Sequence, residues 1–143
     1  MASRKAEGVR EMEKPHKKLD VWQAAMKLAR QIYVLSNRLP VDEKFGFVSQ
    51  MRRSVVSIPC NIAEGAARQG KKEFRNFLSM AQGSLSELDT QLDLAKSLNY
   101  FNEYDIRETD DLLLRIDKML SGLIHSLQRN DKNNKLKQIR FND

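Results

Sequence analysis

The chain has 143 residues and a formal net charge of +6, and its residues are 41% hydrophobic and 31% charged. This length and composition predict one folded domain and exclude a chain that is disordered throughout. Cys60 is the single cysteine, so no intrachain disulfide is possible, and the two histidines, His16 and His125, lie far apart in sequence. We therefore expect neither a metal site nor a cofactor.

The sequence contains no run of about 18 apolar residues that could cross a bilayer. Its N-terminus mixes basic and acidic residues and has no apolar core, so we do not expect a signal peptide. These features predict a cytoplasmic protein without a membrane partner.

Four segments repeat apolar residues at alternating spacings of three and four, which is the pattern of amphipathic helices. Short connections between such helices predict an all-α fold, an antiparallel up-down-up-down four-helix bundle. The four apolar seams are Val21, Ala25, Leu28, Ile32, Leu35 and Leu39; Val48, Met51, Val55, Ile58 and Ile62; Phe74, Leu78, Ala81, Leu85, Leu88, Leu92 and Ala95; and Ile106, Leu113, Ile116, Leu120, Leu123 and Leu127.

Helix-breaking and capping residues separate these segments. Pro40 follows the first helix, and Gly70 is predicted to cap the end of the second in a left-handed conformation. Asn102 is the expected N-cap of the fourth helix, with Asp105 in its first turn.

The ends of the chain are polar, charged and aperiodic. We therefore predict a flexible charged arm over residues 1–18, the bundle domain over 19–129 and a flexible basic tail over 130–143.

Pro59 interrupts the second helix without breaking its apolar spacing. A proline there removes one backbone hydrogen bond and clashes with the carbonyl of Val55, at a cost of about 3 kcal/mol. We expect a kink, with Ser54 or Ser57 supplying a local side-chain hydrogen bond. The alternative is a local packing irregularity.

The first two helices are apolar over more than the roughly 100° that a bundle core needs. This predicts self-association through their outer faces; the alternative is a deep bundle whose termini shield those faces. Arg52 falls within the apolar arc and needs an acidic or carbonyl partner, which we expect from a second subunit. The predicted interface residues are Trp22, Met26, Tyr33, Arg52, Val56, Pro59 and Ala63.

Charge is unevenly distributed along the chain. Residues 44–75 carry seven basic and two acidic residues, residues 76–128 carry four and nine, and residues 129–143 carry five and two. Such polarity attracts polyanions, although it can also steer one subunit onto another or serve only as a solvated surface. The candidate nucleic-acid-binding residues are Arg53, Arg68, Lys71, Lys72, Arg75, Lys132, Lys135, Lys137 and Arg140.

Several short motifs between residues 19 and 128 give the chain a strong resemblance to a known family. They include Trp22-Gln23, Phe45-Gly46, Arg52-Arg53, Ser57-Ile58-Pro59, Asn61-Ile62-Ala63-Glu64-Gly65, Glu73-Phe74 and Gly83-Ser84. The chain resembles the bacterial four-helix bundle family whose founding members are encoded by intervening sequences in large-subunit ribosomal RNA genes. Gly70 departs from the pattern, because the family more often has a polar N-cap there.

This resemblance implies a homopentameric barrel of antiparallel bundles. A related branch contains the accessory variability protein of diversity-generating retroelements, which binds nucleic acid and works beside a reverse transcriptase. The leading hypothesis is a non-enzymatic oligomer that binds RNA or DNA with little sequence preference. The alternative is a protein-interaction scaffold that docks a reverse transcriptase. An enzyme is disfavoured, because a di-iron bundle needs Glu-x-x-His motifs that the sequence lacks.

Overall fold

The computed structural model describes residues 12–141, which form a four-helix bundle without a strand in that part of the chain. Most of the predicted N-terminal arm, residues 1–11, and the last two residues lie outside the described residues. The helices are α1, Asp20–Ser36; α2, Ser49–Ala66; α3, Lys71–Ser97; and α4, Glu103–Phe141.

The predicted apolar seams form the core of the bundle. Every seam residue of the first two segments is buried, including Leu39 and Val48 just outside α1 and α2. In the other two segments, only Phe74, Leu123 and Leu127 are half-buried, and all three pack against the core. The 3.6-residue period therefore identified the buried faces correctly.

Neighbouring helices run antiparallel, as their side-chain contacts show. Ser57 of α2 meets Ser84 of α3, with their Oγ atoms 2.8 Å apart. Gln82 Nε2 of α3 donates to Ser121 Oγ of α4 at 2.9 Å, and Lys96 near the end of α3 meets Asp110 near the start of α4. Together with the short connections between consecutive helices, these pairings give the up-down-up-down arrangement.

A braced connection joins α1 to α2. It consists of a 3-10 turn, Val41–Glu43, and a π-helical turn, Lys44–Val48. The Glu43 carboxylate accepts a hydrogen bond from the Phe47 N–H at 3.2 Å and another from the Tyr100 hydroxyl at 3.0 Å. The second bond ties this connection to the one between α3 and α4, so both loops lie at the same end of the bundle.

The turn between α2 and α3 differs from its prediction. Gly70 has φ −99° and ψ 140° and is the N-cap of α3, so the prediction of a left-handed cap for α2 is wrong. An extended backbone needs no glycine, and no side chain caps the first turn of α3.

The cap of α4 is confirmed. Asn102 Oδ1 accepts the Asp105 N–H at 2.8 Å, while Asp105 Oδ2 accepts the Asn102 N–H at 3.1 Å. Each side chain therefore satisfies a backbone donor at the start of the helix.

Part of each predicted arm has helical backbone within the described residues. Residues Pro15–Lys18 form a 3-10 turn, and His16 packs against Trp22 with ring centroids 5.0 Å apart. At the other end, α4 continues through Phe141, so residues 130–141 of the predicted flexible tail have a helical backbone, and the flexibility of the tail stays a prediction. The exact limits of the bundle domain stay a prediction.

Pro59 lies inside α2, which continues through it as one helix, and its side chain is buried. Ser54 Oγ donates to the Gln50 carbonyl at 3.0 Å, which is a local side-chain hydrogen bond but not one to the Val55 carbonyl that the proline frees. Ser57 instead bonds across to Ser84 and does not serve the carbonyl freed by the proline.

Candidate nucleic-acid interface

One end of the bundle carries the predicted cations that flank the turn between α2 and α3. We call this set the basic end: Arg68 just after α2, and Lys71, Lys72 and Arg75 in the first turns of α3. All but Arg75 are exposed, and Arg75 is half-buried. The prediction that these four residues bind nucleic acid together is compatible with their positions, since they lie on a single turn and on the start of the helix that follows it.

Two arginines of the basic end also have structural contacts. Arg68 pairs with Glu64 one turn earlier, and its guanidinium lies over the Phe77 ring, 5.1 Å from the centroid. Arg75 Nη1 donates to the Leu127 carbonyl of α4 at 3.4 Å. These contacts hold the two guanidiniums in place at the end of the bundle, whereas Lys71 and Lys72 extend into solvent.

The C-terminal cations lie on the part of α4 that extends beyond the basic end. The Arg75–Leu127 contact places the start of α3 level with residues near 127, so residues 130–141, here called the tail helix, pass beyond it. At 1.5 Å per residue the tail helix is about 18 Å long. Its cations Lys132, Lys135, Lys137 and Arg140 are all exposed.

Arg53 is separated from the basic end. It is exposed on the second turn of α2, and the chain covers about 22 Å of helix before it reaches Arg68. Because antiparallel packing sends the start of α2 to the opposite end of the bundle, the structure does not bring Arg53 together with Lys71 and Lys72.

Carboxylates gather in a groove between α3 and α4, far from the basic end along α3. We call it the acidic groove; its volume is 270 Å³. The acidic residues that line it are Asp89, Asp93, Asp110 and Asp117, and the apolar ones are Leu85, Leu113 and Leu114. Lys96 lies beside Asp93 and Asp110, at 3.4 Å and 3.8 Å.

Burial and mutual repulsion alter the titration of this groove. Partial burial raises the pKa of Asp89, and the neighbouring charges of Asp93 and Asp117 add to the effect. Burial also raises the pKa of Asp110, while Lys96 opposes that rise. The groove therefore has more negative charge than its own chain neutralises within the described residues.

The residues predicted for self-association are not equally accessible. Tyr33 and Val56 are exposed by 42% and 39%, Trp22, Met26 and Ala63 are half-buried, and Pro59 is buried. Trp22 also packs against the core. Within the single chain, only part of the expected arc is thus open to a neighbour.

Arg52 finds its partners within its own chain. Its Nε donates to Ser36 Oγ at 3.0 Å and its Nη2 donates to Asn37 Oδ1 at 2.8 Å. The guanidinium also lies 4.5 Å from the centroid of the Tyr33 ring. Within the single chain, two neutral oxygens and the face of the Tyr33 ring, all at the end of α1, contact the guanidinium. The carboxylate expected from a second subunit stays a prediction.

A polar cluster between α2 and α3 was not predicted. Asn61 Nδ2 donates to the Ser57 carbonyl at 2.8 Å and to Ser57 Oγ at 2.9 Å, and Ser57 shares a hydrogen bond with Ser84. The signal was available, since Ser57 and Asn61 are four residues apart on the polar side of α2. The cluster links the two helices within one chain.

Within residues 12–141, no three side chains of His, Cys, Asp or Glu converge in a way that would hold a metal ion. No helix in that part of the chain combines the length and apolar character needed to cross a membrane.

Residues 17–122 match the 23S rRNA-intervening sequence protein family. This match covers well over half of the chain, so the chain belongs to that family, as its motifs indicated. Among solved structures it is similar to a protein of unknown function from the S23 ribosomal protein family of Bacteroides thetaiotaomicron, with 27% identity and a TM-score of 0.67. The similarity covers 73% of this chain and 97% of that one. No curated protein matches the chain.

Proposed function

We propose that this member of the 23S rRNA-intervening sequence protein family is a non-enzymatic homo-oligomer that binds RNA or DNA through the basic end of its bundle. The binding is to phosphates and has little sequence preference. We propose a pentamer, because the family that the sequence resembles is expected to form homopentameric barrels.

The observation that carries this proposal is the segregation of charge. The basic end presents Lys71 and Lys72 to solvent, and the tail helix adds exposed cations that extend beyond the same end. The acidic groove lies elsewhere, between α3 and α4. A phosphate backbone can therefore approach the cations without meeting the carboxylates, which favours electrostatic binding.

The start of α3 strengthens the basic end as an anion site. The N-terminus of a helix carries a partial positive charge and unpaired N–H groups. Gly70 provides no side chain to cap those groups in α3. The first-turn amides and the adjacent Lys71 and Lys72 thus attract the same phosphate, although Glu73 in that turn opposes it.

Self-association would multiply this modest charge. Tyr33 and Val56 leave apolar surface exposed on α1 and α2. In a ring, the basic end repeats in every copy, so weak contacts to one strand add by avidity. Base-specific contacts are not part of the proposal, because the basic end carries cations and no exposed aromatic residue to stack on a base.

A scaffold that docks another protein is the second candidate, and one observation favours it. Val41 and Phe45 are exposed by 87% and 90% on the braced connection between α1 and α2. Exposed aromatic side chains on a fixed backbone often anchor protein interfaces. A reverse transcriptase is the partner that the resemblance to retroelement accessory proteins suggests.

Two measurements on the full chain test the main proposal. Light scattering on a sizing column gives the mass of the particle, and a monomer of 16.6 kDa at micromolar concentration would contradict self-association. Fluorescence anisotropy with RNA and DNA of matched sequence should show binding of both at low salt. An intact oligomer that binds neither would favour the scaffold.

A further inference from the structure

The tail helix has a face that its own bundle does not use. Lys132, Lys135, Leu136 and Ile139 follow the spacing i, i+3, i+4 and i+7, which places them on one side of a helix. We call these four residues the tail stripe. All four are exposed, Leu136 and Ile139 each by 60%.

The tail stripe is not a continuation of the core seam of α4. At about 100° per residue, Leu136 and Ile139 lie about 180° and about 120° around the helix from Leu127. Leu127 packs against the core, so the stripe points away from the side on which α4 meets its own bundle. Its two large apolar side chains must find a partner outside the chain or stay in water.

The acidic groove has the complementary chemistry. Asp110 and Asp117 border it on α4, and Leu114, exposed by 54%, stands between them in sequence. Asp89 and Asp117 form no ion pair within the described residues, and burial and nearby charge make the site of Asp89 unfavourable for a carboxylate. The stripe and the α4 edge of the groove each extend over eight residues, whose first and last Cα atoms are about 10 Å apart along the helix axis.

We propose that the tail helix of one copy lies in the acidic groove of a second copy, with Lys132 and Lys135 against the groove aspartates and Leu136 and Ile139 over its leucines. The contact joins two different surfaces, so it is head-to-tail and can propagate into a ring. This inference rests on the proposed self-association. It assigns Lys132 and Lys135 to the second copy and leaves the basic end and Lys137 for nucleic acid.

A second copy fits the stripe better than the alternatives do. The chain cannot fill its own groove, because α4 is one continuous helix whose tail extends away from residues 110–117. Nucleic acid would satisfy Lys132 and Lys135 but would leave Leu136 and Ile139 without apolar contacts. The groove offers both carboxylates and leucines. Lys137 lies off the stripe and stays open to phosphate.

Crosslinking between two singly substituted chains tests this contact. In a Cys60→Ser background, one chain carries Leu136→Cys and the other Leu114→Cys, and the two are mixed and oxidised. A disulfide between the two chains is expected. The matched control pairs Leu136→Cys with Val34→Cys, an α1 position exposed by 67%, which should give little crosslink.

Charge reversal makes the test specific. Lys132→Glu with Lys135→Glu should reduce the crosslink at least several-fold, and adding Asp89→Lys with Asp93→Lys to the groove chain should restore it. Lys137→Glu, off the stripe, should leave it unchanged. Suppose that light scattering shows an oligomer but the crosslink is no higher than in the Val34→Cys control. That result would overturn this inference and leave the proposed function intact. A monomer would overturn both.

Discussion

Gly65 of α2 lies so close to Phe77 of α3 that a Cβ atom on Gly65 would stand 2.8 Å from the Phe77 Cβ. The same atom would stand 2.9 Å from Phe74 Cδ2. Only a glycine permits this approach. It brings the end of α2 and the start of α3 together directly beneath the turn that carries the basic end.

Gly65→Ala should therefore destabilise the fold. Overpacking a tight contact costs about 1–3 kcal/mol, and here both phenylalanines would have to shift. Urea denaturation followed by circular dichroism measures the change. Gly83→Ala and Gly122→Ala are matched controls, since a Cβ at either helical position meets nothing within 4 Å. Both should stabilise by about 0.5–1 kcal/mol. Equal effects at all three positions would contradict the contact.

Arg52→Ala should lower stability where Arg53→Ala does not. Arg52 donates to Ser36 and Asn37 and lies over Tyr33, and Ser36 is only 1% exposed. Hydrogen bonds from a charged group contribute about 1.5–3 kcal/mol, so we expect a loss of that order. Arg53 is exposed, and its loss should change stability by less than about 0.5 kcal/mol. Thermal melts compare the two variants, and similar melting temperatures would refute the structural role of Arg52.

The acidic groove makes stability depend on pH. The pKa of Asp89 is raised above its ordinary value of 3.8, so its ionisation opposes folding. The stability due to its protonation is complete below that value and is lost as pH rises through the folded-state pKa. Asp89→Asn should therefore raise the melting temperature at pH 7, and the gain should shrink as pH falls toward 4. A gain that is the same at both pH values would argue against the groove repulsion.

Asp105 provides the control with the opposite sign. The hydrogen bond from the Asn102 N–H, helped by Arg38, lowers the pKa of Asp105 below 3.8. Its contribution to stability is present above pH 3.8 and is lost as pH falls through the folded-state pKa. Asp105→Ala should therefore lower the melting temperature at pH 7, with a smaller deficit in acid.

The sequence predicted the bundle well because burial along a helix is periodic. Leu28, Ile58, Leu88 and Ile116 are each fully buried, as their spacing required. The cap by Asn102 was predictable for a similar reason, since it depends only on residues within one turn.

Features that depend on distant or absent contacts were missed. The partners of Arg52 lie on another helix, and no spacing within α2 identifies them. Gly70 is compatible with many conformations, so composition alone could not decide between a cap of α2 and a start of α3. The tail helix has no core to pack against, so the apolar seam of α4 does not continue into it. Without that seam, the sequence pattern did not predict a helix there.

The candidate interface was predicted only in part. The cations of the basic end flank one turn in sequence, so their proximity was predictable, whereas their role in binding stays a prediction. Arg53 was named with them, but it lies on the second turn of α2, about 22 Å of helix before Arg68, so the structure does not bring it to the basic end. The charge count of residues 76–128 showed that this segment is acidic. It could not locate the acidic groove, because the groove forms only when α3 packs against α4.

The most direct test of the account is the salt dependence of nucleic-acid binding by Lys71→Glu with Lys72→Glu. Log affinity should fall linearly with log salt for the unmodified chain, by about 0.7 per phosphate contact on single strands. Reversal at the basic end should weaken binding and flatten that slope. Lys44→Glu with Arg107→Glu makes the same charge change near the opposite end and should preserve the slope. Identical slopes for the two double variants, measured by anisotropy at three salt concentrations on intact oligomers, would contradict a nucleic-acid interface at the basic end.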